Sequence, residues 1–224
     1  MKILYTENMT EIELKAHVFD RGKLIENLNS FAKYEKTVTK DDTYFHLEKK
    51  EKSTHKNQSE PKTTDGNENS KKNYISARIR RQTEKTEKGT KTTNFLTYKK
   101  KELKSDSKGF SIEVNDEKET EISDTEAVEI LFKDIGFVPA LKKHKEVMIF
   151  SVQTEYGKAT LELCNVQRLG DFIEIEILSG KNDAQTVEKI QGALKKLLSE
   201  CKIPEKDIEK RYYSEMLKEL DQKK

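Results

Sequence analysis

Charged residues spaced two apart offer the chemistry of this chain. Glu11 and Glu13 precede Lys15, and the same spacing recurs in Arg78 and Arg80, Lys99 and Lys101, and Glu174 and Glu176. On a strand, residues two apart share a face, so each pair would set two like charges side by side. One such strand reads as the wet face of an ordinary antiparallel sheet. Repeated acidic pairs and repeated basic pairs in one chain read differently, because like charges repel unless a common ligand neutralises both sets. A polyphosphate carrying a divalent cation is such a ligand. Arginine forks and lysine ammoniums meet phosphate oxygens, while carboxylates offer hard oxygen ligands to Mg²⁺ or Mn²⁺. Enclosure away from water would strengthen each of these contacts.

The elements that must position these residues are strands. Period-two alternation predicts eight of them, at 10–18, 43–49, 73–82, 94–102, 110–122, 145–153, 157–166 and 171–178. Ile12 and Leu14 alternate with the first acidic pair, Ala77 and Ile79 with the arginines, and Ile173, Ile175 and Ile177 with the last acidic pair; Glu117, Glu119 and Glu121 line one face of the fifth strand. Helices are predicted from Arg21 to Tyr34, and after a Ser123/Glu126 capping box up to Gly136. Two more are split at Pro204, the first with a Val187, Ile190, Leu194, Leu197 stripe and the second with Ile208, Tyr212 and Met216. Helices can cover the aliphatic faces only, so the charged faces must point inward. An even number of strands can close, and the expected fold class is α+β: an eight-stranded antiparallel β-barrel with flanking helices.

Composition sets the bounds. In 224 residues the apolar fraction is 33% and the charged fraction 38%, so charge must coat the surface, fill an insertion and line an interior site. Forty-three basic residues against forty-one acidic leave +2, which removes any general argument for nucleic-acid or membrane attraction. Cys164 and Cys201 form no CxxC pair, which argues against a disulfide framework or structural zinc and for a reducing, cytoplasmic setting. Residues 50–72 are almost purely polar and read as a disordered insertion between two paired strands; the Thr/Lys-rich 83–93 reads as an open loop. A single domain is expected over 9–220, and Met9 leaves open whether residues 1–8 are an extension or whether Met9 is the start. His17, His46, His55 and His144 have no metal-ligand spacing. Tyr212 and Tyr213 fit either packing of the last helix or a homodimer contact.

Glu11-Ile12-Glu13-Leu14-Lys15 resembles the ExExK signature of the CYTH domain superfamily, the triphosphate tunnel metalloenzymes. It is followed in order by Asp42-Thr43-Tyr44-Phe45, Ala77-Arg78-Ile79-Arg80, Thr97-Tyr98-Lys99 and Leu169-Gly170-Asp171-Phe172-Ile173-Glu174-Ile175-Glu176, and Arg211 to Leu217 looks like the family's closing helix. The resemblance implies a triphosphate tunnel that works with Mg²⁺ or Mn²⁺. On it, Glu11, Glu13, Glu174 and Glu176 match metal-ligand pairs, Lys15, Arg78, Arg80 and Lys99 match phosphate-binding positions, and Lys101, Lys143 and Lys145 join them. Glu11, Glu13 and Lys15 are then the catalytic set. One departure stands out: the family often has an Asp in the seventh strand where this chain has Cys164, and a thiolate is a poor partner for Mg²⁺. Glu162, on the same face, either substitutes as ligand or is a plain sheet residue. The superfamily includes class IV adenylyl cyclases, inorganic triphosphatases and thiamine triphosphatases. Asp42-Thr43-Tyr44-Phe45 resembles the cyclase branch, with Tyr44 and Phe45 available to a base or tunnel mouth, which implies conversion of ATP to cyclic AMP and pyrophosphate. A non-catalytic polyphosphate or nucleotide sensor is the third reading, disfavoured because paired carboxylates would repel an anion without a metal.

Overall fold

A computed structural model describes residues 10–47, 74–86, 89–105 and 111–222; for Leu47, 74–76, 99–105 and 111–117 it describes the backbone alone. The 50–72 insertion, residues 1–9 and His55 lie outside it. Eight strands, β1 Thr10–His17, β2 Lys33–Leu47, β3 Tyr74–Thr86, β4 Gly89–Ser105, β5 Ser111–Ile122, β6 Phe137–Thr154, β7 Gly157–Val166 and β8 Gly170–Ser179, form a closed barrel in the order β1-β5-β4-β3-β2-β6-β7-β8. Every neighbouring pair is antiparallel, and β8 returns to β1 with Glu13 opposite Glu176 and Lys15 opposite Glu174. Closure leaves the barrel without a free edge.

The aliphatic faces point outward and are covered. Ile12 and Leu14 of β1, Leu161 and Leu163 of β7, and Ile173, Ile175 and Ile177 of β8 are buried under α1 (Arg21–Phe31) and α3 (Ala184–Glu200). Leu24 and Leu28 come from the first helix, and Val187, Ile190, Leu194, Leu197 and Leu198 from the second. Cys201, the C-cap of α3, is buried in the same core. Two pieces follow Pro204: a 3-10 turn at Glu205–Asp207 and α4 (Tyr213–Gln222). Tyr213 and Met216 of α4 pack on Val38, Val147, Cys164, Val166 and Phe172. These strand residues alternate with the outward set, so α4 seals an apolar end of the barrel interior. No helix among the described residues is long and apolar enough to cross a membrane.

Several boundaries differ from expectation. β2 starts at Lys33 rather than 43, β6 at Phe137 rather than 145, and residues 83–86 and 89–93 of the supposed open loop are paired ends of β3 and β4, with Thr83 opposite Thr92. α1 stops at Phe31, three residues before Tyr34. α2 (Thr125–Asp134) is capped by Asp124, whose carboxylate accepts from the Glu126 and Ala127 amides, so the Ser123 capping box does not form. Gly136 ends that region at φ +87, as a left-handed stop requires. Ile208 bridges Ala16 outside any helix and Tyr212 precedes α4, so the expected stripe holds only from Tyr213 onward.

Candidate functional site

The interior faces of the strands converge on a cavity of ≈ 120 Å³ lined by Glu11, Glu13, Lys15, Arg78, Arg80, Lys143, Lys145, Glu162, Glu174 and Glu176, with Lys40, Tyr44, Thr97 and residues 212–214 completing the wall. Strand register explains the grouping. Asp42 on β2 lies opposite Arg80 on β3 and Lys143 on β6, while Tyr44 lies opposite Arg78. Asp42 has no exposed side-chain surface and sits 2.7 Å from Arg80 Nε, 3.1 Å from Lys143 Nζ and 3.9 Å from Arg78. Burial alone would raise its carboxyl, but these three cations outweigh that and hold it well below the usual range. The Tyr44 hydroxyl accepts from Lys143 at 2.9 Å, which fixes the ring in the wall. Arg78 donates to Thr97 at 3.0 Å, and Thr97 donates to Glu119 at 2.8 Å.

Beside this cationic wall lie two acidic clusters. In the first, one carboxylate oxygen from each of Glu11, Glu13 and Glu176 falls within 4.8 Å of the others. Burial, together with Glu162 and Glu13 nearby, raises the Glu176 carboxyl to about 7 against a counteracting hydrogen bond with Glu11. In the second, Glu162, Cys164 and Glu174 lie equally close. Lys145 sits among them, 2.6 Å from Glu174, 3.3 Å from Glu162 and 3.6 Å from Cys164 Sγ, and Lys40 reaches Glu162 at 2.5 Å. Burial pushes the Cys164 thiol far above its ordinary value, with Glu174 adding to it, so the sulfur is a neutral thiol.

Lys15 is buried, donates to the Arg211 carbonyl at 2.6 Å and lies 4.4 Å from the Tyr213 ring centre, which ties the segment before α4 to the tunnel wall. Lys99 and Lys101 belong to β4, and their side chains are outside the described set. Of the aromatic pair, Tyr44 faces the cavity, whereas Phe45 points outward against Phe132 of α2, with ring centres 5.0 Å apart. Phe45 therefore packs against α2 and does not line the cavity. His17 pairs with Glu209 and His144 with Asp41, outside both acidic clusters. Lys40 is an interior residue that the sequence reading did not single out, and Asp42 and Thr97, quoted there within motif segments, were given no role of their own.

A closed antiparallel barrel with cations on one wall and clustered carboxylates on another defines a tunnel suited to an anionic ligand. The CYTH domain profile matches residues 9–213, and the chain belongs to that family, whose members bind triphosphates and are typically metal-dependent enzymes. No curated protein matches the chain. Among solved structures, the PH1819 protein of Pyrococcus horikoshii OT3 is similar at 25% identity and TM-score 0.68 over 94% of this chain and 99% of its own. A conserved hypothetical protein of Pyrococcus furiosus has 21% identity and TM-score 0.61, covering 92% and 98%. A Vibrio parahaemolyticus protein provisionally named an adenylate cyclase has 15% identity and TM-score 0.62, covering 93% and 97%. The last two likenesses concern the fold alone.

Proposed function

We propose that this chain is a metal-dependent triphosphate-processing enzyme and, within the family, an adenylyl cyclase of the class IV type. The observation that supports the reading is the segregation of Arg78, Arg80 and Lys143 around one wall from the Glu11, Glu13 and Glu176 cluster. The carboxylate set suits a hard divalent ion: its oxygens, within 4.8 Å of one another, approach the roughly 4 Å that opposed ligands span around Mg²⁺. Glu11, Glu13 and Glu176 would hold Mg²⁺ or Mn²⁺, which when bound supplies Lewis-acid polarisation of a phosphate oxygen. Arg78, Arg80, Lys143 and Lys15 would bind the phosphates, align them and neutralise charge on the departing pyrophosphate. In that reaction the ribose 3′-oxygen bonds to the α-phosphorus, the bond to the bridging oxygen breaks, pyrophosphate leaves with the electron pair, and the hydroxyl proton is released.

The outward turn of Phe45 favours a second reading, because it leaves Tyr44 alone of the two aromatics at the cavity. A hydrolase for tripolyphosphate or thiamine triphosphate needs no adenine platform, and water would then attack the terminal phosphorus. Incubation with ATP, tripolyphosphate and thiamine triphosphate, each with Mg²⁺ or Mn²⁺, separates the readings by product. Cyclic AMP with stoichiometric pyrophosphate, lost in Glu11→Gln/Glu13→Gln, is the result expected. Orthophosphate without cyclic nucleotide would move the chain to the hydrolases, and no turnover of any substrate would leave only a binding role.

A further inference from the structure

Two acidic clusters in one tunnel invite the assumption of two metal ions, and the second cluster argues against it. An ammonium group has three N–H donors. Those of Lys145 meet three acceptors: Glu174 at 2.6 Å, Glu162 at 3.3 Å and the Cys164 sulfur at 3.6 Å. Each carboxylate also has a cation. Glu162 is shared by Lys145 and by Lys40 at 2.5 Å, and Glu174 is held by Lys145, with Lys143 also acting on it. The thiol adds no charge, whereas a carboxylate at position 164 would set a third acidic group against Glu162 and Glu174, in a place where buried charge must be matched. Lys40 and Lys145 are also direct cross-strand neighbours, and the Glu162 carboxylate that both contact relieves their mutual repulsion.

We propose that in the substrate-free tunnel Lys145, seated on Glu162, Glu174 and the Cys164 thiol, occupies the position of a second cation, so that the chain binds one divalent ion, at Glu11, Glu13 and Glu176. This rests on the metal reading above and divides its candidate ligands: Glu162 and Glu174 position Lys145 and do not ligate the ion. A softer consequence follows from the thiol, which as a neutral acceptor completes the ammonium shell without inviting a hard cation.

Mn²⁺ binding without substrate, followed by the loss of the free-ion electron paramagnetic resonance signal, tests this independently of activity. One ion per chain is expected for the wild type, none for Glu11→Gln/Glu13→Gln, and two for Lys145→Met/Cys164→Asp, which frees Glu174, leaves Glu162 to Lys40 alone and adds a third carboxylate. Circular dichroism confirms that each variant keeps its strands. Two ions in the wild type, or one retained by Glu11→Gln/Glu13→Gln, would overturn the proposal, as would a folded Lys145→Met/Cys164→Asp that still binds one. No binding by the wild type would instead overturn the metal reading itself.

Discussion

Asp42 shows how a single buried carboxylate can hold an anion site in its resting state. Its neighbours Arg80, Lys143 and Arg78 are the groups that would meet phosphate, and without ligand they converge on this one acid. Asp42→Asn should therefore cost about 3–5 kcal/mol, because it strands buried cations; urea unfolding at pH 7 measures it. The sign with pH follows from the lowered carboxyl. An unfolded Asp titrates near about 3.9, so the contribution is present above about pH 4 and is lost as pH falls toward the lower folded value. The wild type should lose stability over that acid range by more than Asp42→Asn does. Glu176 has the opposite sign. Its carboxyl is raised to about 7, so the native state holds a proton that the unfolded chain has released, and the metal-free protein loses stability as pH rises from about 4.5 to 7. Glu176→Gln should then be the more stable protein at pH 8 without metal, by up to about 3 kcal/mol. Divalent ion affinity of the wild type should climb over pH 6–8 as that proton is displaced. A flat affinity profile by calorimetry would remove Glu176 from the metal set. Lys40, and the role of Asp42, escaped the sequence reading for one reason: an interior of paired charges has no apolar signature, and only the register that sets Asp42 between Arg80 and Lys143 reveals it.

The same cause governs which elements were legible. Strands with aliphatic outer faces, such as β1, β7 and β8, stood out because Ile, Leu and Val alternate with charge. The first ten residues of β2, Lys33 to Asp42, place Val38 as the one buried aliphatic on the face of Lys40 and Asp42, with Thr39 and Asp41 on the other, and a pattern without a continuous hydrophobic face is invisible to periodicity. The β3–β4 hairpin end is likewise Thr, Lys and Glu on both faces, held by its ladder rather than by burial. The ends of α1 and α2 were legible to within three residues, since caps depend on local geometry, whereas the start of α4 was not, because Ile208 and Tyr212 lie before it. At α2, Ser123 and Asp124 are both capping residue types, and only the structure assigns the bonds to Asp124. Asp124→Ala should destabilise that helix by about 1 kcal/mol, and Ser123→Ala by little, read as faster amide exchange at Glu126 and Ala127. Equal effects would restore the Ser123 cap.

At the scale of the whole molecule, closing the sheet puts the larger core outside the barrel, under α1 and α3, and gives the tunnel over to charge, with an apolar interior only beneath α4. On the cationic wall Arg80 and Lys143 already have Asp42 as their partner, so a polyphosphate that takes these cations must replace it. Its net affinity is the phosphate contact less the internal pairs broken. Tripolyphosphate with Mg²⁺ at about 100 times its Kd should stabilise the fold by about 2.7 kcal/mol, which for a chain of this size raises Tm by roughly 5–10 °C. In Asp42→Asn there is no internal rival for the cations. That variant should melt lower than the wild type without ligand and gain more on adding it, so the two melting temperatures converge as tripolyphosphate rises. Parallel shifts in the two proteins would mean that the anion never displaces Asp42, and no shift in either would mean that the tunnel does not bind it.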